Sequence, residues 1–211
     1  MIQKLLTLLV VVFGGLTIRA EYLGPRLHVY IFKPLTTILI LVIAVLVGKS
    51  STSIYKYLIF AGLVFSLAGD VFLMLPSDQF IAGLVSFLIA QILYIAAFTT
   101  GKGFSFNWLS AIPFVVYGIV IYIVLSPHLG SMRLPVIVYM LAILTMAWQG
   151  WERWITLSEK GALLGFAGAA LFVISDSVLA LNRFRGEFAS ARALTLTTYY
   201  AAQWLIALSV G

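Results

Sequence analysis

The chain has no cysteine among its 211 residues, two histidines and seven acidic residues, and charged residues make up 9 % of it. Without cysteine there are no disulfides, no thiolate nucleophile and no thiolate metal ligands. His28 and His128 are too few for a histidine-built zinc site, so no metal and no cofactor is expected. Seven acidic and 13 basic residues cannot coat a globule of this size, where a soluble domain carries about 25 % charged residues. A soluble domain, a disordered tail and a nucleic-acid binder are all excluded. The net charge of +6 does not point to nucleic acid, because the basic residues are scattered over short loops between apolar blocks.

What the chain has instead is apolar sequence, 63 % of the residues, gathered in blocks long enough to cross a hydrocarbon layer as helix. Eight spans are expected, at Ile2–Ile18, Val29–Val47, Tyr57–Leu75, Phe80–Phe98, Trp108–Leu125, Leu134–Gly150, Gly161–Leu181 and Ala193–Val210. The blocks are continuous rather than alternating, which excludes a barrel. The expected fold is an all-α, multi-pass integral membrane bundle forming one domain over residues 1–211. In a bacterium it would sit in the cell membrane. The longest loops fall at residues 19–28, 99–107, 151–160 and 182–192. Eight spans put both termini on one side. That side carries Lys4, Lys49, Lys56, Lys102, Arg153 and Lys160, against seven basic residues on the other, so the positive-inside rule assigns no orientation.

An internal repeat is also visible. Asp70-Val71-Phe72-Leu73-Met74-Leu75 in the third span resembles Asp176-Ser177-Val178-Leu179-Ala180-Leu181 in the seventh, 106 residues on, and Ala90-Gln91 resembles Ala202-Gln203, 112 residues on. A four-plus-four parallel repeat would preserve the orientation of each half.

Glu21, Asp78, Glu152, Glu159 and Glu187 have a loop or interface position. Asp70 and Asp176 instead sit inside apolar spans, where an ionisable group is costly and is a functional candidate by default. Both lie four or five residues from the end of an odd-numbered span, at similar depth. Lys33, with Pro34 reading as a helix start, lies toward the same face, as do Tyr139, Asn182, Arg183, Arg185, Arg192, Tyr199 and Gln203. Gln91 and Tyr94 are nearer mid-membrane, and Ser66 is one turn from Asp70. Together they would form a pocket of carboxyls, phenols and amides with a cationic rim suited to a phosphate head group. Two carboxyls in such a site would hold different protonation states, one neutral as an acid and one ionised. Against this, a lone aspartate can simply bind a neighbouring helix, and loop arginines serve topology or lipid contacts. Gly62, Gly69, Gly165 and Gly168 read as helix-packing positions.

Five stretches carry a family likeness: FKPLTT at Phe32–Thr37, GLVFSLAGDVFLML at Gly62–Leu75, FIAGLVSFLIAQILYIAAF at Phe80–Phe98, ALFVISDSVLALNRF at Ala170–Phe184 and SARALTLTTYYAAQWLIALS at Ser190–Ser209. Over nearly the whole chain the sequence resembles the lysoplasmalogenase, or YhhN-like, family of integral membrane enzymes. One departure is Gln91, where family members often have histidine. The resemblance implies hydrolysis of the vinyl-ether bond of lysoplasmalogens, giving a fatty aldehyde and glycerophosphoethanolamine or glycerophosphocholine. Asp70 and Asp176 would then be the acid/base pair. Lys33, Arg183 and Arg192 would hold the phosphate, and Tyr139, Tyr199, Asn182 and Gln203 would line the pocket beside Gln91, Tyr94 and Ser66. The partners would be a lysophospholipid substrate and membrane lipids. Intramembrane carboxyls and a parallel repeat equally suit a proton-coupled lipid or small-solute transporter, and a scaffolding protein is a third class.

Overall fold

The computed structural model describes residues 2–47 and 53–211. Lys49, counted above for orientation, lies outside them. Eight long helices follow one another: α1 Ile2–Leu23, α2 Arg26–Val47, α3 Ile54–Met74, α4 Phe80–Thr99, α5 Trp108–Leu125, α6 Arg133–Leu157, α7 Lys160–Ala180 and α8 Ala191–Leu208. Helix is what the composition demands, because each segment must satisfy its own backbone in lipid. Seven of the eight are long and apolar enough to span a membrane. α8 is the exception: Arg192, three threonines, two tyrosines and Gln203 lower its hydropathy. It tolerates them because Tyr199, Tyr200 and Gln203 are buried against other helices.

The helices are longer than the apolar blocks. Residues 19–28, expected as a loop, shrink to Gly24 and Pro25, and residues 151–160 shrink to Ser158 and Glu159. A helix continues past its hydrocarbon-facing stretch while its polar turns reach the interface. As a consequence Pro34 is not a helix start but lies inside α2. Membrane helices tolerate this when neighbours re-satisfy the freed backbone groups. Lys33 is thereby carried inside the bundle.

α3 pairs with α4 and α7 with α8, while α2 packs on α8 and α6 on α4. This is the pairing of a parallel four-plus-four repeat, and individual contacts follow it. A Cβ on Gly62 would lie 2.3 Å from the Tyr94 ring. On Gly168, 106 residues later, it would lie 2.7 Å from Ile206, and Ile206 is 112 residues after Tyr94. Such small residues let helix backbones approach closely where no hydrophobic force drives helices together. The two halves differ at their first helices. α1 packs on both α2 and α8, whereas α5, the counterpart of α1, makes its main contacts with α6 alone. A Tyr117 hydroxyl bond of 2.8 Å to Ser177 Oγ ties α5 to α7. The gap left beside α5 becomes a cavity.

Glu152, expected at an interface, is buried inside α6. Its carboxylate accepts from Ser105 Oγ at 2.5 Å and from Ser110 Oγ. Gln149, one turn earlier, receives the Ser105 backbone N–H at 3.0 Å and donates to the Ser105 carbonyl at 3.1 Å. The α4–α5 loop is thus pinned to α6 at the end of the bundle that carries the chain termini. Burial in this loop holds the Lys102 ammonium below its ordinary value, with Glu152 opposing the shift and Arg153 adding to it.

The seam between α7 and α8 can be tested at Gly168, whose Cβ would stand 2.7 Å from the Ala202 carbonyl oxygen, a backbone atom that cannot swing away. Gly168→Ala should lower the melting temperature in detergent, at a cost of about 1–3 kcal/mol. Gly15→Ala, with nothing within 4 Å, should melt at or above wild type, since alanine is the better helix former. Equal melting of the two variants would refute the close seam.

Candidate functional site

α2, α3 and α8 meet at Asp70, which is 2 % exposed. Its Oδ2 accepts the Thr37 hydroxyl at 2.7 Å and the Tyr199 hydroxyl at 2.8 Å. The Lys33 ammonium stands 3.8 Å from Oδ1. The charge is therefore met by a cation and two donors, which a carboxyl at this depth requires. Lys33 and Thr37 lie four residues apart and so share one face of α2. Thr37 was not singled out in the sequence, although this spacing from Lys33 is a signal that could have found it. Beneath Asp70 runs a second network. Tyr94 donates to Gln203 Oε1 at 2.8 Å, and Gln203 Nε2 donates to Ser66 Oγ at 3.2 Å. Ser66, Tyr94 and Gln203, expected to line a pocket, are fully buried and bonded to one another, so they hold α3, α4 and α8 together.

Asp176 occupies a different setting. It is half-buried on α7 and receives the Tyr139 hydroxyl of α6 on Oδ2. The two carboxyls share no hydrogen bond among the described residues; each has its own phenol. Asp176 and Tyr139 line a narrow apolar cavity of about 60 Å³. Its other walls include Leu84 and Phe87 of α4, Ile121 and Leu125 of α5, and Ile143 of α6. Asp70 is not in the cavity wall. One link between the carboxyls runs through rings: Tyr199, bound to Asp70, packs edge-on against Phe87 of the cavity wall with centroids 5.8 Å apart.

The cavity adjoins a polar vestibule, and Leu73, Phe80, Leu179 and Phe184 belong to the walls of both. Lys33, Arg183, Arg185 and Arg192 give the vestibule its positive groups, and Glu21, Asp78 and Glu187 its negative ones. Immediately after α7 the chain widens into a π-helical turn, Leu181–Arg185, closed by Gly186 at φ 143°, a conformation open to glycine alone in practice. Such turns recur at functional sites, and this one directs Asn182, Arg183 and Arg185 around the vestibule. Three of the expected rim residues have partners. Arg183 is paired with Asp78 at 2.7 Å and lies over the Phe80 ring. Arg192 donates to the Glu21 carbonyl at 2.9 Å. Asn182 accepts the Phe188 backbone N–H at 3.1 Å. Tyr22, given no role from sequence, accepts from the Ala193 N–H at 3.1 Å and donates to the Ala189 carbonyl at 2.6 Å, fastening the end of α1 to the start of α8. Gln91 is buried beside Tyr139 without a bond of its own.

Fold and site define a multi-pass integral membrane protein, a helical bundle with a buried polar centre and an amphipathic cleft open toward one face. The chain belongs to the YhhN family, whose model matches residues 29–210. It is 30 % identical over 195 residues to the uncharacterized membrane protein YhhN of Escherichia coli O157:H7, covering 92 % of this chain and 93 % of that one. It is 37 % identical over 160 residues to lysoplasmalogenase TMEM86A of Bos taurus (72 % of this chain, 64 % of that protein). To lysoplasmalogenase TMEM86B of Homo sapiens it is 36 % identical over 165 residues (74 % and 64 %). No solved structure matches significantly.

The Asp70 centre makes a stability prediction. Lys33→Met leaves a buried carboxyl without its cation and should destabilise the protein on the order of 3 kcal/mol, read as a lower melting temperature in detergent. Lys33→Met/Asp70→Asn should recover much of the loss. A double variant that loses the full sum of the two single effects would show that the two groups are not coupled.

Proposed function

We propose that the chain is a lysoplasmalogenase, hydrolysing the vinyl-ether bond of a lysophospholipid to a fatty aldehyde and a glycerophospho head group. The observation that carries this is a carboxyl, Asp176, in the wall of an apolar cavity that adjoins a charged vestibule. A lysoplasmalogen has the same polarity pattern. Its head group suits the vestibule, with the phosphate toward Lys33, Arg185 and Arg192 and the ammonium toward Glu21 or Glu187. Its alkenyl chain suits the cavity. Asp176 lies three residues, about one helical turn, from Leu179, which borders both spaces. That is where a bond joining chain to glycerol would fall. The names of the mammalian relatives support the same substrate.

The chemistry needs a proton donor and water. The carboxyl of Asp176 gives its proton to the alkenyl carbon beyond the ether carbon, leaving an oxocarbenium ion and a carboxylate. Water adds to the cationic carbon while that carboxylate takes up the released proton, and the hemiacetal collapses to aldehyde and glycerol hydroxyl. Tyr139, donating to one carboxyl oxygen, leaves the other to face the substrate. Asp70 acts from behind Tyr199 and Phe87. It holds Lys33 at the inner edge of the vestibule.

Purified protein in detergent should release aldehyde from lysoplasmenylethanolamine. Asp176→Asn should lower kcat on the order of 100-fold or more, and Arg185→Ala with Arg192→Ala should raise KM. A folded wild type that releases no aldehyde would refute the enzyme. Proton-coupled lipid or solute uptake into liposomes without a covalent product would replace it with transport.

A further inference from the structure

Gln91, midway along α4, is completely buried, and neither its amide nitrogen nor its amide oxygen has a hydrogen-bond partner among the described residues. An orphaned amide inside a membrane bundle is destabilising, and natural structures rarely leave one unexplained. The internal repeat shows how it lost its partners. Gln203, 112 residues on, bonds Tyr94 and Ser66. The positions that would serve Gln91 in the same way are Ile206 and Phe172, which offer nothing to bond. The structural role kept by one glutamine has been deleted around the other, yet the amide is still there. Its polar neighbour is the Tyr139 hydroxyl, short of hydrogen-bond geometry. The hydrogen of that hydroxyl points to Asp176, so its oxygen can still accept.

We infer that Gln91 is a positioning residue for the Tyr139–Asp176 pair, donating its amide N–H to the Tyr139 oxygen when a lysoplasmalogen fills the cavity. In the bundle without substrate the amide is unbonded. Formed with substrate bound, the bond orders the phenol and, through it, the carboxyl whose free oxygen faces the alkenyl carbon. The inference rests on the hydrolytic reading above and adds to it a residue outside the cavity wall.

Gln91→Met separates this from a structural role, because methionine has similar volume and no amide to satisfy. The variant should melt at or above the wild-type temperature in detergent. Its kcat for aldehyde release should nonetheless fall at least about tenfold with KM nearly unchanged, the signature of an interaction made on the way to the transition state. In a Tyr139→Phe background the same substitution should have almost no further effect on kcat, since the group it acts through is gone. A wild-type kcat in Gln91→Met, an equal loss in both backgrounds, or a lowered melting temperature would each overturn the positioning role while leaving the hydrolase intact. A wild type that releases no aldehyde overturns both.

Discussion

Lipid offers nothing to a polar group, so each one inside this bundle must find its partner on another helix. The three-way junction at Asp70 is where that constraint is met most fully. One carboxyl takes Thr37 of α2 and Tyr199 of α8, with Lys33 of α2 alongside. This fixes how α2, α3 and α8 sit at one end of the molecule. The Tyr94–Gln203–Ser66 network continues the same seam toward mid-membrane. The rest of the site is hung from this frame. Lys33 reaches the vestibule because α2 is registered against Asp70, and Phe87 reaches the cavity wall because Tyr199 packs against it.

The cavity arises where the two halves stop resembling one another. In the first half α1 lies against both α2 and α8 and closes that side. In the second half α5 stays with α6, and the space it leaves is bounded by Asp176, Tyr139 and apolar side chains. The polar residues diverged in parallel. Tyr199, which bonds Asp70, has Phe87 at the matching place in the first half, so Asp176 lacks a donor from α4 and takes one from α6 instead. The structural bond kept at one carboxyl is thus missing at the other, which faces the cavity instead.

Much of the site was legible in the sequence. Asp70 and Asp176 stood out because a carboxylate in an apolar span has few innocent explanations, and the rim residues fell near one face because odd helices run in parallel. The single shared pocket was not found. Lys33 and Pro34 appeared to start a helix, since hydropathy marks where the hydrocarbon begins and not where hydrogen bonding does. Glu152 looked interfacial for the same reason, yet Ser105 and Ser110 fold over to cap it. Thr37 was passed over because threonine in a membrane helix ordinarily bonds its own preceding turn, as Thr36 does with the Phe32 carbonyl. Only its neighbour across the seam gives Thr37 a different acceptor.

The sequence by itself determined that the chain is a multi-pass helical membrane protein, that its halves are related, and which few polar residues lie within the bilayer. Those are consequences of hydropathy and spacing along one dimension. The tertiary structure alone decided which carboxyl is spent on holding helices and which faces a cavity, and that one glutamine of a repeated pair is bonded while the other is not. Such distinctions depend on what stands across a helix seam, and residues more than a hundred positions apart meet there only when the bundle closes.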